Sequence, residues 1–479
     1  MSVYDLLSLL PVIMILGWAV LILLVDRIVP HGWKAITATL TAAGLISTLL
    51  VVLFDFNTLR EGFMGQVQGD SFAALLQAIV LLVGLIAVAQ AFRYLQAHEI
   101  ERGEYYSLLL FSVGGMMLMT TAGDLVMIFL SLELFSIPLY VLSGIARPRT
   151  DSEEAALKYF LLGAFATGFL VYGIALVFGA AQTTDLQLLT ERAIQLQDSK
   201  LLLTGLLLIL VGLSFKVGAV PFHMWTPDVY QGAPTAVTSF MAVGAKVGGF
   251  AALLRVFIMG LPALAGLWGP AVMAIAAITM VWGNVAAISQ RNLKRMLAYS
   301  SIAHGGYMLM ALPAAISPAA TPNIAPAVVF YLAAYAVTNL GAWGVIMALE
   351  TKLGENIDLE NLSGLGRKNP VLALAMAVFM ISLTGLPPTV GFMGKFYLFR
   401  VVMQADLVWL ALVGVITSLI SAYYYLRVIV MMYMREGTPE LRLDGWLKAA
   451  IWISGGLVLL LGIAPGFLLN AADIVQFIP

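Results

Sequence analysis

The sequence predicts an all-α polytopic membrane protein of about 14 transmembrane helices, arranged as two inverted five-helix repeats (helices 4–8 and 9–13), with helices 7 and 12 discontinuous. Three observations lead there. The chain is 61% hydrophobic and only 11% charged, whereas roughly a quarter of the residues of soluble domains are charged. Its apolar runs are long and unalternating, and about 20 such residues cross a hydrocarbon core of about 30 Å as a helix with every backbone group paired internally. Two of the runs are interrupted by proline close to a lysine.

Candidate spans fall at 5–25, 35–54, 72–95, 106–122, 124–146, 154–180, 202–222, 234–260, 268–290, 296–313, 325–349, 369–404, 408–432 and 447–470. The opening MSVYDLLSLLPVIMILGWAVLILLVDR has no basic leader and no small-residue cleavage site, so it reads as a first span rather than a signal peptide. The longest polar connections, 55–71, 181–201, 350–368 and 433–446, are too short to be domains. Loop charge tests the count, because one missed span would scramble the alternation of basic loops. Loops after odd-numbered spans hold sixteen lysines and arginines; those after even-numbered spans hold five, Arg255 among them. Both termini are therefore expected on the non-cytoplasmic side of the membrane.

Zero cysteines exclude disulfides and thiolate-held metals or clusters, and His31, His98, His223 and His304 show no ligand spacing. A net charge of −1 argues against a nucleic-acid partner.

Lys158, Lys216, Lys246 and Lys395 are the basic residues left inside spans. A lysine at a helix centre costs about 2.5–3.5 kcal/mol on an insertion scale, so each asks for a reason. Lys158 lies about two turns inside its helix and reads either as functional or as a snorkelling anchor. Lys246 is too deep to snorkel comfortably. Glu133 is the acidic residue near the middle of a span; it reads as half of an ion pair with Lys158 or Lys216, or as a protonated core acid. His304, in YSSIAHGGYMLM, reads as a relay or as a neutral structural imidazole. Gly305 and Gly306 read as close helix packing, and Tyr423, Tyr424 and Tyr425 as interfacial or packing residues.

Pro221 follows Lys216 by five residues and removes the donor that would bond the carbonyl of Val217, so the helix is expected to break just past the lysine. In SLTGLPPTVGFMGKFYLFR, Pro387 and Pro388 interrupt a second span and Lys395 follows. Breaks at corresponding points of two halves indicate inverted repeats around a hydrated cavity. The organisation expected is a three-helix segment over 1–105, repeats over 106–260 and 268–432, and a last helix over 433–479.

A line of buried lysines with one carboxylate, without a converging pocket, suits proton transfer better than solute binding. Desolvation favours a neutral amine and a nearby carboxylate favours the ammonium, so modulating the carboxylate switches a lysine between holding and releasing a proton. Glu133 with Lys158 or Lys216 is the expected modulated pair, Lys246 the central relay and Lys395 the terminal exchange site.

Three stretches, SFKVGAVPFHMWTPDVYQGAPTAVTSFMAVGAKVGGF, GNVAAISQRNLKRMLAYSSIAHGGYMLM and LTGLPPTVGFMGKFYLF, resemble the antiporter-like membrane subunits of bacterial respiratory complex I, NADH-quinone oxidoreductase. Lysine rather than glutamate in helix 12, and no long lateral helix after span 14, look like the N branch of that family. The resemblance implies proton translocation coupled to electron transfer from NADH to quinone. NADH, FMN, iron–sulfur clusters and quinone would be bound by other subunits, and no cofactor by this chain. Partners would be the lipid bilayer, another antiporter-like subunit and small membrane subunits. It also implies Glu133 and Lys216 as the coupled pair, Lys158 bridging toward them, Lys246 as relay and Lys395 as exit or inter-subunit residue. The alternatives are a subunit of an Mrp-type cation/proton antiporter or of a membrane-bound hydrogenase, which share the fold, and, from another class, a secondary transporter for a small solute.

Overall fold

The structure is a computed structural model that describes residues 3–30, 34–56 and 58–473; His31 lies outside them, as do the chain ends. The body consists of α1 (Leu10–Ile28), α2 (Ala35–Phe54), α3 (Ser71–Ala97), α4 (Gly103–Thr120), α5 (Leu125–Ser143), α6 (Thr150–Ala181), α7 (Lys200–Val217), α8 (Trp225–Gly232), α9 (Thr235–Leu253), α10 (Ala265–Ile288), α11 (Leu293–Leu309), α12 (Thr321–Leu349), α13 (Pro370–Thr384), α14 (Val390–Gln404), α15 (Val408–Met434) and α16 (Gly445–Ile463). Eleven helices among the described residues are long and apolar enough to cross a membrane. α4, α11 and the short pair α13 and α14 are not among them.

Polar side chains start these helices where the apolar sequence begins. Asp70, Asp124, Ser199, Asn292, Asn369 and Asp444 each accept a hydrogen bond from a backbone N–H of the first turn of α3, α5, α7, α11, α13 and α16. Small residues set the closest approaches: a Cβ on Gly205 of α7 would lie 2.8 Å from the Gly173 carbonyl of α6, so the two backbones touch. The centre belongs to α9 and α12, buried over 100% and 94% of their spans, whereas α6 is buried over 33% and forms part of the outside.

A small antiparallel hairpin, β1 (Arg60–Gly62) with β2 (Val67–Gly69), departs from the all-helical expectation. It covers the ends of α4 and α9: Gln68 N–H donates to Thr121 O at 2.8 Å and Gly123 N–H to Gln66 O at 2.9 Å. Here one expectation is corrected. Arg255, counted with the loops, lies in a π-helical continuation of α9 (Leu254–Gly260) and is fully buried. Its guanidinium clasps both oxygens of the equally buried Asp70 at 2.7 and 2.8 Å, donates to Thr120 O, and lies over the Phe72 ring. A charge so paired and hydrogen-bonded is tolerated inside the fold.

Two backbone bridges match each other in the two halves. Leu125 N–H donates to Thr184 O and Leu186 N–H to Gly123 O, at 2.9 and 3.0 Å. Leu293 N–H donates to Ile357 O and Leu359 N–H to Arg291 O, at 2.8 and 3.0 Å. In both cases the loop that follows a later helix returns to the N-terminus of α5 or α11.

Candidate functional site: two broken helices and a buried polar chain

Both proline stretches interrupt their helices where expected. α7 ends at Val217 with Gly218 at φ 73°, and α13 ends at Thr384 with Gly385 at φ 87°. Both caps are left-handed, the conformation glycine adopts without a Cβ clash. α8 and α14 resume beyond the prolines.

The carbonyls released by the prolines are taken by lysines. Lys246 Nζ, from the middle of α9, donates to Val217 O at 2.8 Å. Lys395 Nζ donates to Thr384 O, four residues before Pro388, at 2.8 Å, and to Ser418 Oγ of α15 at 2.7 Å. Another carbonyl of the first break, Phe215 O, accepts from Trp225 Nε1 at 2.9 Å.

Lys216 is buried, and among the described residues no carboxylate forms an ion pair with it. It donates to Ser136 Oγ of α5 at 2.6 Å and sits among the rings of Phe135, Tyr159 and Tyr140, 4.7, 5.3 and 5.6 Å from their centroids. Ring faces stabilise an ammonium without neutralising it. Ser136 is one turn along α5 from Glu133, whose Oε1 accepts from Thr167 of α6 at 2.7 Å. The expected Glu133–Lys158 ion pair is not formed. Lys158 pairs instead with Glu154 on its own helix at 2.7 Å and with Asp228 of α8 at 2.8 Å, its side chain 41% exposed. Arg295, at the start of α11, holds the other oxygen of Asp228 at 2.8 Å. These groups line an open cavity of about 340 Å³ together with Lys294 and Asp151. Lys158 thus stands at a polar mouth, apart from the buried lysines.

His304 is held by side chains of the second half. Its Nδ1 is 2.6 Å from Tyr331 OH and its Nε2 3.0 Å from Tyr425 OH, so both ring nitrogens are engaged by hydroxyls. Tyr425 also bonds Ser300 Oγ. The helix of His304 touches both central lysines: a Cβ on Gly305 would lie 3.2 Å from Lys246 Nζ, and Lys395 Nζ stands 4.8 Å over the Tyr307 ring. Gly306 is the packing glycine expected, with α10 backbone at Met280 N 2.8 Å from its Cβ position, but Gly305 belongs to the polar chain. Tyr424 and Tyr425 are fully buried and hydrogen-bonded, so they are not interfacial; Tyr423 is exposed. The side chain of His223 caps no helix, and its Nδ1 is buried without a partner among the described residues.

Sequence reasoning left out Ser136, Thr167, Tyr159, Tyr331 and Ser418. Hydroxyls in apolar helices are common and carry no individual signal; only the fold identifies the ones that meet a lysine. The role of Asp228 had a visible signal, a lone acid between a proline-broken helix and the next span.

Residues 122–421 match the family described as NADH:quinone oxidoreductase/Mrp antiporter, TM. NADH-quinone oxidoreductase subunit N of Chloroflexus aggregans is 45% identical over 469 residues, covering 96% of this chain and 95% of its own length. Among solved structures, a chain of respiratory complex I from Thermus thermophilus with bound aureothin matches with a TM-score of 0.83 at 35% identity, over 97% of this chain and 100% of that one. A chain of the Mrp complex from Dietzia sp. matches with a TM-score of 0.87 at 20% identity, over 99% and 97%, a likeness of fold alone. With a family match over more than half of the chain and a relative aligned along nearly all of it, the chain belongs to the NADH-quinone oxidoreductase subunit N family, within the NADH:quinone oxidoreductase/Mrp antiporter membrane proteins.

Proposed function

We propose that this chain is the proton-translocating membrane subunit of an NADH-quinone oxidoreductase. Protons move through Glu133, Lys216, Lys246, His304 and Lys395, while NADH, FMN, iron–sulfur clusters and quinone are handled by other subunits. Lys158 and Asp228 serve the mouth on the basic-loop face.

The observation that carries the reading is the pair of bonds from Lys246 to Val217 O and from Lys395 to Thr384 O. A structural lysine in a membrane protein is best served by a carboxylate; these are held by neutral carbonyls made available by a broken helix. Each can be an ammonium donating to the carbonyl or an amine whose lone pair accepts a proton from water. Between them, an imidazole with two hydroxyl partners passes a proton by taking one at one nitrogen and releasing one at the other. A small-solute transporter is disfavoured because the groups string out through α5, α7, α9, α11, α14 and α15 rather than converge.

The same reading carries fourteen spans, with the break at Pro221 dividing the seventh and that at Pro388 the twelfth. It also carries repeats over 106–260 and 268–432 between an N-terminal segment, 1–105, and a C-terminal helix, 433–479. The matching bridges at Leu125 and Leu293 support the repeats. Contacts among loops support the alternation, since Arg442 reaches Ala97 O at 2.9 Å and its N–H bonds Ala348 O, all on the face of the basic loops. On this count both termini lie on the non-cytoplasmic side of a bacterial plasma membrane, and the partners are other membrane subunits, another antiporter-like one included.

The test is Lys246→Ala in the assembled complex. NADH-driven acidification of inverted membrane vesicles should fall steeply while co-purification of the membrane subunits is unchanged. Acidification at the parental rate would overturn the relay. Sodium uptake replacing proton uptake would favour a cation/proton antiporter instead.

A further inference from the structure

We propose that Glu350 loads protons into this chain from the basic-loop face, along a polar stripe of α12 that ends beside His304; this rests on the proton-translocating reading above.

Glu350 caps the C-terminus of α12 and is fully buried. It accepts from Tyr94 OH at 3.0 Å, from Gly354 N–H at 2.8 Å and from Thr235 Oγ1, and forms no ion pair among the described residues. A buried acid with hydroxyl and amide partners is an unusual helix end, since a solvated serine or glycine would close the helix at less cost. Tyr94 lines an open cavity of about 390 Å³ with His98, Arg442 and Asp444, so a residue bonded to the acid also borders the outside.

Inward from Glu350 the lining stays polar. Thr235 begins α9, and Ser239, one turn on, donates to Gln90 Oε1 at 2.7 Å. On α12 itself, Trp343, Asn339, Tyr335 and Tyr331 repeat every four residues and share one face with Glu350. On that face Trp343 Nε1 is buried with no partner among the described residues, and the Asn339 amide makes no close hydrogen bond, with Tyr335 its hydroxyl neighbour. Buried polar atoms are almost always hydrogen-bonded, by ordered water where protein does not serve, so this interval is hydrated. Beyond it Tyr335 OH donates to Ser301 Oγ at 2.9 Å, and its ring lies 5.4 Å from that of His304. Ser301 and His304 are one turn apart on α11.

The transfer needs no co-reactant. The carboxyl of Glu350 gives its proton to the nearest water, and each water or hydroxyl along the stripe accepts one proton and releases another toward Ser301 and His304. The carboxylate left behind regains a proton from the cavity through Tyr94.

The experiment compares Glu350→Gln, Glu350→Asp and Asn339→Leu in the complete membrane complex, measuring protons moved per NADH oxidised in inverted vesicles and subunit co-purification. Glu350→Gln should lower the proton yield several-fold, Glu350→Asp should restore most of it, and Asn339→Leu, which leaves the acid in place but displaces the water, should lower it as well. A parental yield in Glu350→Gln overturns the proposal. So does a loss confined to Glu350→Gln with Asn339→Leu unaffected, which would make the acid a structural cap. If Glu350→Gln fails to assemble, Asn339→Leu decides on the same criterion. Lys246→Ala separates the two claims: a loss there with a parental Glu350→Gln removes only this uptake route, whereas a parental Lys246→Ala removes the proton-translocating reading itself.

Discussion

Lys246 and Val217 meet across 2.8 Å, Nζ to carbonyl oxygen, through a gap in α7 that Pro221 creates four residues further along the chain. The bond is specific without being committing. A carboxylate partner would hold the lysine charged, whereas a carbonyl accepts from the ammonium and leaves the amine free to form when the proton departs.

Gly305→Ala tests that bond from the neighbouring helix. The new methyl would stand 3.2 Å from both Lys246 Nζ and Val217 O, tighter than ordinary contact, and the mobile end of the lysine yields first. Proton transport should fall several-fold with the complex intact. Gly306→Ala meets backbone of α10 at 2.8 Å and should instead reduce the amount of assembled subunit, read by gel quantitation of the purified complex.

Lys158→Ala should be much milder than Lys216→Ala. Lys158 is 41% exposed in its side chain and shares Asp228 with Arg295, and such exposed pairs contribute about 0–1 kcal/mol. Proton yield per NADH, compared between the two variants in the same membranes, should rank them in that order. Equal losses would mean that Lys158 swings inward to Glu133 during turnover.

Arg255→Gln should cost about 3–5 kcal/mol, because the buried Asp70 carboxylate would lose its guanidinium. Replacing both partners by apolar residues, Arg255→Met with Asp70→Leu, should recover much of that loss. Detergent thermal-unfolding midpoints of the purified complex check the order; a double variant worse than the single would show that the pair contributes more than mutual neutralisation.

His304→Ala removes the group between Tyr331 OH and Tyr425 OH, at a cost of about 1–3 kcal/mol for leaving the buried Tyr331 hydroxyl without its partner, while Tyr425 keeps Ser300. Transport should drop further than that modest destabilisation accounts for. His304→Gln, which bonds both hydroxyls but does not titrate, should regain stability and not transport, measured as melting midpoint against proton yield.

The membrane class, both breaks and the depth of Lys246 were legible because a bilayer penalises charge and proline so heavily that each survivor stands out. The partners were not. Lys158 was drawn to Glu133 on the strength of a short loop between their helices, but helix rotation decides facing, and Lys158 looks toward Asp228. Arg255 passed as a loop residue because its counter-ion, Asp70, is distant in sequence and belongs to the cap of another helix. Tyr425 looked like one of three interchangeable tyrosines; only its place on a buried face of α15 makes it a partner of His304.

The two bridges at Leu125 and Leu293 pin the starts of α5 and α11 to returning loops, one tie inside each half. Each tie braces its own half, and a movement of one half against the other would leave both intact while sliding the buried α9 past the buried α12. On the proton-translocating reading, what has to travel is a proton between amines, an imidazole and hydroxyls, and two braced halves can serve as the fixed terminals of such a relay.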